Sequence, residues 1–294
     1  MLELFLSESY RLRKLASRLG AEYVDLRSDI NISRAMRTQL HIFKEKLSAQ
    51  ASRFTEVNKL ARAAYIHGTN SDAAIAEMYD AEYGGSEGSH YAYLSALLAG
   101  EGFAAITGLQ PQEAAELTIV DIGAGSNELL RFCRDVLGVP SEQLTGTDIS
   151  SASVALIKRD GFCAYMGRLE HIPLQAENFD ATFLSYFIDY DTDQKSTFSE
   201  SLRITKYGGR IILEGLFPVR PLGLFPAERT GYTFVTKGRS AAEDITLVCQ
   251  AFLRMAKEQE KPLSIERIVR TNRYIYNRRG LNKLPSFFIS MSVG

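Results

Sequence analysis

The sequence has 294 residues, with 34 Lys and Arg against 35 Asp and Glu and a formal net charge of -1. That length supports a large core without disulfide or metal staples, and the charge balance argues against a chain built to coat nucleic acid or an anionic membrane. Three widely spaced cysteines, Cys133, Cys163 and Cys249, make no zinc spacing or disulfide framework and fit a reducing compartment.

The opening run MLELFLSESYRLRKLASRLG lacks the basic start and unbroken apolar stretch of a signal peptide. No segment approaches the ~20 apolar residues of a membrane span, so the expectation is a soluble cytoplasmic protein. Leu4, Leu12, Leu15 and Leu19 predict an amphipathic helix stopped at Gly20. A longer helical pattern runs from Ile32 to Ala64, a short one from Asp72 to Tyr79, and a last one from about Tyr91 to Thr107. The glycine-rich stretch YDAEYGGSEGSHY joins the last two. Residues 1–110 thus read as a helical region.

From residue 117 strands and helices alternate. LTIVDIG predicts a buried strand, Asn127 to Leu137 a helix, QLTGTD a strand, and Ser150 to Arg159 a helix capped by Ser150 and closed by Gly161. FCAYM and FDATFLSYF follow as strands, then a helix from Asp193 to Thr205 and the strand GRIILEG. Ser240 to Glu258 is another helix. SIERIVRTNRYIYN and PSFFISMSVG are strands joined by a short glycine-containing turn, which predicts antiparallel pairing. The alternation implies a parallel sheet with helices on both faces.

The most specific pattern is IVDIGAGSNELLRF. A buried strand ends in Asp121, Gly123 and Gly125 turn the backbone, and a helix begins, offering free N–H groups to a ligand. The third glycine of the dinucleotide fingerprint is absent; Asn127 stands there. Asp148 ends the next strand, where an acid in a doubly wound sheet accepts hydrogen bonds from ribose hydroxyls.

With these residues the chain from 117 to 292 resembles the class I S-adenosylmethionine-dependent methyltransferases. The landmarks are VDIGAG, TGTD, GRLEHIPLQAENFDATFLS and KYGGRIILEG. The resemblance implies a Rossmann-like seven-stranded sheet whose last strand is antiparallel. That would place a cofactor-binding domain at 111–294 and a helical cap or lid at 1–110. It implies that Asp121, Gly123, Ala124 and Gly125 cradle the methionine part of the cofactor, with Asn127 beside its amino-acid end. Asp148 and Ile149 would meet the ribose, Arg168 and Leu169 the adenine, and Ser185 the cofactor edge. Three positions depart from the family pattern: Asn127 for glycine, Arg168 for an adenine-binding acid, and Tyr207 for proline in the turn before GRIILEG.

Acceptor residues in this family come from the cap, the end of the fourth strand and the segment after the fifth. Those positions hold Tyr79, Tyr83 and His90; Ser185, Tyr186 and Asp189; and Phe217 to Tyr232, where Arg220 and Arg229 could pair with a carboxylate. His90, Tyr79, Tyr186 and Asp189 are the candidate catalytic residues. No metal ligand set is expected. The leading expectation is methyl transfer to a small-molecule acceptor of secondary metabolism, without nucleic acid or membrane as partner; a homodimer is left open. One alternative is intramolecular cyclisation of the cofactor with release of methylthioadenosine, as in azetidine-2-carboxylate synthases. Another is a nucleic-acid methyltransferase. Residues 254–283 carry nine Lys and Arg against three acids, including Arg267, Arg270, Arg273, Arg278 and Arg279.

Overall fold

The computed structural model describes residues 2–28, 101–125, 127–168, 171–185, 194–216, 240–277 and 280–294. Helix α1 (Leu2–Leu19) ends at Gly20, which adopts φ 72° as the sequence predicts. Strand β1 (Glu22–Asp25) follows, then helices α2 (Glu101–Thr107) and α3 (Pro111–Ala114). The alternating part runs β2 (Ile119–Ile122), α4 (Glu128–Asp135), β3 (Leu144–Asp148), α5 (Ser151–Arg159), β4 (Cys163–Met166) and β5 (Phe179–Ser185). It continues through α6 (Gln194–Ile204), β6 (Thr205–Leu216), α7 (Ala241–Glu258), β7 (Leu263–Asn277) and β8 (Gly280–Val293).

The strands form one sheet in the order β1-β7-β8-β6-β5-β2-β3-β4. Strand β8 is antiparallel to both β6 and β7, and every other pairing is parallel. The expected antiparallel last strand is therefore present. The expected count of seven is corrected to eight among the described residues. The extra strand is β1, from a region whose pattern reads as helical; Glu22 to Asp25 lie beside Arg267 to Arg270 of β7. Four residues with two acids among them carry too little periodicity to announce a strand. Pairing with β7 supplies their backbone partners.

Strand β2 is buried along its whole length, as a central parallel strand covered on both faces must be. Val120 and Ile122 point into one core layer with Leu12 and Leu15 of α1, Phe198 of α6 and Phe252 of α7. Ile119 points the other way, into a second layer with Phe103 of α2, Leu130 and Phe132 of α4, and Ile157 of α5. The two-residue repeat of the strand thus divides the molecule into helix, sheet and helix layers. The rings of Phe198 and Phe252 stack with centroids 3.8 Å apart, joining α6 to α7. Among the described residues no helix is long and apolar enough to cross a membrane.

Lys261 is a buried charge used as a cap. It is 6% exposed, and its Nζ donates to the carbonyls of Leu202 and Thr205, both at 2.6 Å, where α6 gives way to β6. Lys261→Met should lower stability by about 1–3 kcal/mol for each carbonyl left without a donor. Chemical denaturation checks this, with a lower midpoint and an unchanged slope.

Candidate cofactor site

The turn after β2 is built by backbone bonds that leave its outer side open. Gly123 has φ 76° and Gly125 φ 51°, conformations that glycine reaches without steric cost. The N–H groups of Gly123 and Ala124 both donate to the Thr147 carbonyl of β3, at 2.8 and 2.9 Å. The Asn127 N–H donates to the Ala124 carbonyl at 2.7 Å, closing the turn. A Cβ added at Gly125 would meet no described atom within 4 Å.

Asp148 ties this turn to the end of β3. Its Oδ2 accepts from the Gly125 N–H and its Oδ1 from the Ser150 N–H, each at 2.8 Å. The Ser150 side chain in turn accepts from the Ser153 N–H and caps α5, as predicted. Ile149 lies half-buried between them. The Gly167 N–H donates to the Asp148 carbonyl at 3.1 Å, so the chain leaving β4 starts beside the same acid. Arg168 follows it, exposed, and bridges to His171. That loop is held from below. The Ile172 N–H donates to Glu200 Oε2, and Arg203 donates to the carbonyls of Ile172 and Leu174.

Asp121 is 3% exposed, and its Oδ1 is buried with no hydrogen-bond partner among the described residues. Burial pushes its carboxyl well above the usual carboxylate range, and the charges of Asp148, Glu128 and Glu214 push it further. Glu128 opens α4 and Glu214 lies in β6 beside Ser185 of β5. Both are buried, and the sequence reading gives neither a role. The available signal for Glu214 is an acid inside the apolar strand IILEG.

Asn127 precedes α4 with φ 56° and ψ 27°, a left-handed conformation that glycine reaches freely. It is fully buried, and its Nδ2 donates to Asp160 Oδ2 at 3.1 Å. Arg131 Nε donates to the same oxygen at 2.7 Å. Burial raises the Asp160 carboxyl, but the Arg131 and Asn127 bonds outweigh it and hold it below the usual range. The side chain of Asn127 is therefore committed at its nitrogen. Its Oδ1 is buried without a partner among the described residues.

Of the expected site residues, the fold brings Asp121, Gly123, Ala124, Gly125, Asn127, Asp148 and Ile149 to one end of β2 and β3. Ser185 ends the adjacent strand β5. Leu169, Tyr79, Tyr83, His90, Tyr186, Asp189 and the segment Phe217 to Tyr232 lie outside the described residues. Among the described residues no group of His, Cys, Asp or Glu is placed to hold a metal ion.

Residues 120–213 match the family model described as a methyltransferase domain. The chain carries a methyltransferase domain over these residues. The match starts one residue before Asp121 and ends one residue before Glu214, so it spans the glycine turn, Asp148 and the β4–β5 connection. Solved structures are also similar to the chain. One is an S-adenosylmethionine-dependent methyltransferase from Mesorhizobium loti, with 16% identity over 61% of this chain and 92% of that one, TM-score 0.42. Another is the YcgJ protein of Bacillus subtilis, with 14% identity over 60% of this chain and 92% of that one, TM-score 0.40. A third belongs to the complex of the Haloferax volcanii Trm112 methyltransferase activator with a methyltransferase. There the identity is 23% over 52% of this chain and 63% of that one, TM-score 0.39. A comparison with curated proteins finds no match.

The residues of the domain fit its cofactor, S-adenosylmethionine. That molecule carries a sulfonium and an ammonium, and the turn offers a carboxylate oxygen without a partner among the described residues, with three more buried acids around it. Burying one carboxylate so close to the others is costly until a cation joins them.

Proposed function

We propose that the protein transfers a methyl group from S-adenosylmethionine to a small-molecule acceptor, with 111–294 as the catalytic domain and a cap drawn from within residues 1–110, of which α1, β1 and α2 pack into the core and sheet of the domain itself. The observation that carries the cofactor half of this reading is Asp121 Oδ1, a buried acceptor without a partner among the described residues, beside a turn where a Cβ at Gly125 would meet no described atom within 4 Å. The cofactor supplies an activated methyl electrophile, so little covalent chemistry is asked of the chain. Asp121, the turn and Asp148 would fix the donor, and the cap would exclude water and align the acceptor for in-line attack. Tyr186 and Asp189 directly follow the carboxyl end of β5, where ligands bind in such sheets. With Tyr79 and His90 of the proposed cap they are the acceptor-facing residues of this reading. A base is needed only where the acceptor carries a proton that must leave.

The basic stretch 254–283 supports a nucleic-acid acceptor less than its composition suggests. Arg270 is 3% exposed, with its guanidinium 5.6 Å from the ring centre of Phe287 and a hydrogen bond to Ser9. Arg267 donates to the carbonyls of Ala104 and Ala105 and pairs with Glu22. Two of the five arginines that could track phosphates are therefore engaged inside the fold.

Incubation of the protein with S-adenosylmethionine and fractionated metabolite extract, with mass analysis of nucleoside products, tests the reading. S-adenosylhomocysteine formed only when acceptor is present is the expected result. Methylthioadenosine formed from the cofactor alone would overturn methyl transfer in favour of cyclisation. Turnover on nucleic acid that falls steeply with salt would overturn the small acceptor.

A further inference from the structure

Two buried oxygens without donors stand at the two ends of one turn. Asp121 Oδ1 precedes the glycines and Asn127 Oδ1 follows them, and neither has a partner among the described residues. Buried acceptors are ordinarily hydrogen-bonded, so two at one short turn point to a donor-rich group between them. An ammonium offers three donors and no acceptor, and it brings the charge that Asp121 lacks. Water would satisfy the oxygens but would leave the carboxylate uncompensated.

Only one orientation of the Asn127 amide leaves its oxygen for this purpose, and a residue outside every sequence motif sets it. Asp160, the residue that ends α5, takes the amide nitrogen at 3.1 Å. A carboxylate accepts and cannot donate, so it holds the NH2 and turns the oxygen elsewhere. Arg131, one turn along α4 from Asn127, donates to the same Asp160 oxygen through Nε at 2.7 Å and approaches it with its terminal nitrogen at 2.6 Å. The Arg134 side chain donates to the Asp160 carbonyl at 3.0 Å, so the end of α5 is fastened to α4 at its main chain as well.

We propose that Asp160 is a positioning residue for the cofactor's amino-acid end: it fixes the Asn127 amide so that Oδ1, together with Asp121, accepts from the cofactor's α-ammonium. This rests on the cofactor reading above and adds to it a residue that reaches the ligand only through another. It also gives a reason for asparagine where the family pattern has glycine. The left-handed backbone is kept, since asparagine tolerates it, and an acceptor is gained.

The test is calorimetric titration of the full chain with two nucleosides that differ at the amino-acid end. S-adenosylhomocysteine carries the ammonium; methylthioadenosine keeps the adenosine and thioether and lacks it. Asn127→Gly and Asp160→Ala should each weaken S-adenosylhomocysteine roughly ten- to a hundredfold, the range for a hydrogen bond to a charged group, and leave methylthioadenosine unchanged. Asp160→Asn, which can offer its own NH2 and so admit the flipped amide, should fall on the weakened side. Equal weakening of both nucleosides would overturn the proposal, because a merely structural role disturbs the whole turn. Unchanged affinity for both would overturn it too. A wild-type chain that binds neither nucleoside would instead remove the cofactor reading itself.

Discussion

Asp121→Asn should cost the protein most of its cofactor affinity while making the cofactor-free fold more stable. The two effects have one cause. Without a cation beside it the Asp121 carboxyl is buried and feels the charges of Asp148, Glu128 and Glu214, so ionising it is unfavourable. The native state holds its proton more tightly than the unfolded chain does. Stability is therefore lost as pH rises from the ordinary aspartate range, about 3.9, toward the raised native value. Asparagine has the same shape and no charge, and removes that loss. With cofactor present the sign reverses. The cation stabilises the carboxylate, and replacing it should cost about 2–5 kcal/mol, roughly thirty- to several-thousandfold in affinity. Binding to the wild type should release a proton below the raised pKa, so affinity increases with pH. Titration calorimetry in two buffers of different ionisation enthalpy reads that release, and in Asp121→Asn it should vanish. A variant that binds as tightly as the wild type would mean that the orphaned oxygen does not meet the cofactor's charge.

Gly146→Val should be the most damaging single change in the core under the turn. Gly146 lies in β3 opposite Asp121, between α4 and α5. A Cβ there would stand 2.9 Å from Ile157 Cδ1, 3.0 Å from Leu130 Cδ1 and 3.2 Å from the Ala124 Cβ. The first two are ends of flexible side chains and can yield. Ala124 has no rotamer to change, so it can move only by shifting the glycine turn. Overpacking of this kind costs about 1–3 kcal/mol for one methyl, and valine adds two more carbons. Denaturation should show about 2–4 kcal/mol lost for Gly146→Val, and cofactor affinity should fall with it. Gly146→Ala offers a finer check. Ile157→Val removes the nearest obstructing methyl, so in the Gly146→Ala background it should recover part of the loss, a coupling that a double-mutant cycle reads. Additive effects would mean that the two side chains do not compete for the same space.

The end of β2, the glycine turn and Asp148 are legible in the sequence because each is a local pattern. A buried strand, two glycines at fixed spacing and an acid at the next strand's end follow from backbone geometry over a few residues. Helix ends are legible for the same reason. Ser150 and Ser240 cap their helices, and Glu243 completes a capping box with Ser240. Arg270 shows where such reading stops. It lies in a stretch that also holds Arg267, Arg273, Arg278 and Arg279, which suggests a solvent-facing strand. Its environment is made by Ser9, 261 residues earlier, and by Phe287 across the sheet. Glu214 likewise matters to Asp121 only because β5 brings β6 into the same part of the sheet as β2.

By itself, then, the sequence determined the alternation of strands and helices, the antiparallel last strand and the glycine turn. These are set by hydrophobic period and by conformations that few residues adopt. The tertiary structure decided the eighth strand, the burial of four carboxylates around one turn and the fastening of Asn127 to Asp160. Each of these depends on which distant segments meet, and long-range pairing follows from the packing of the whole sheet and its helices.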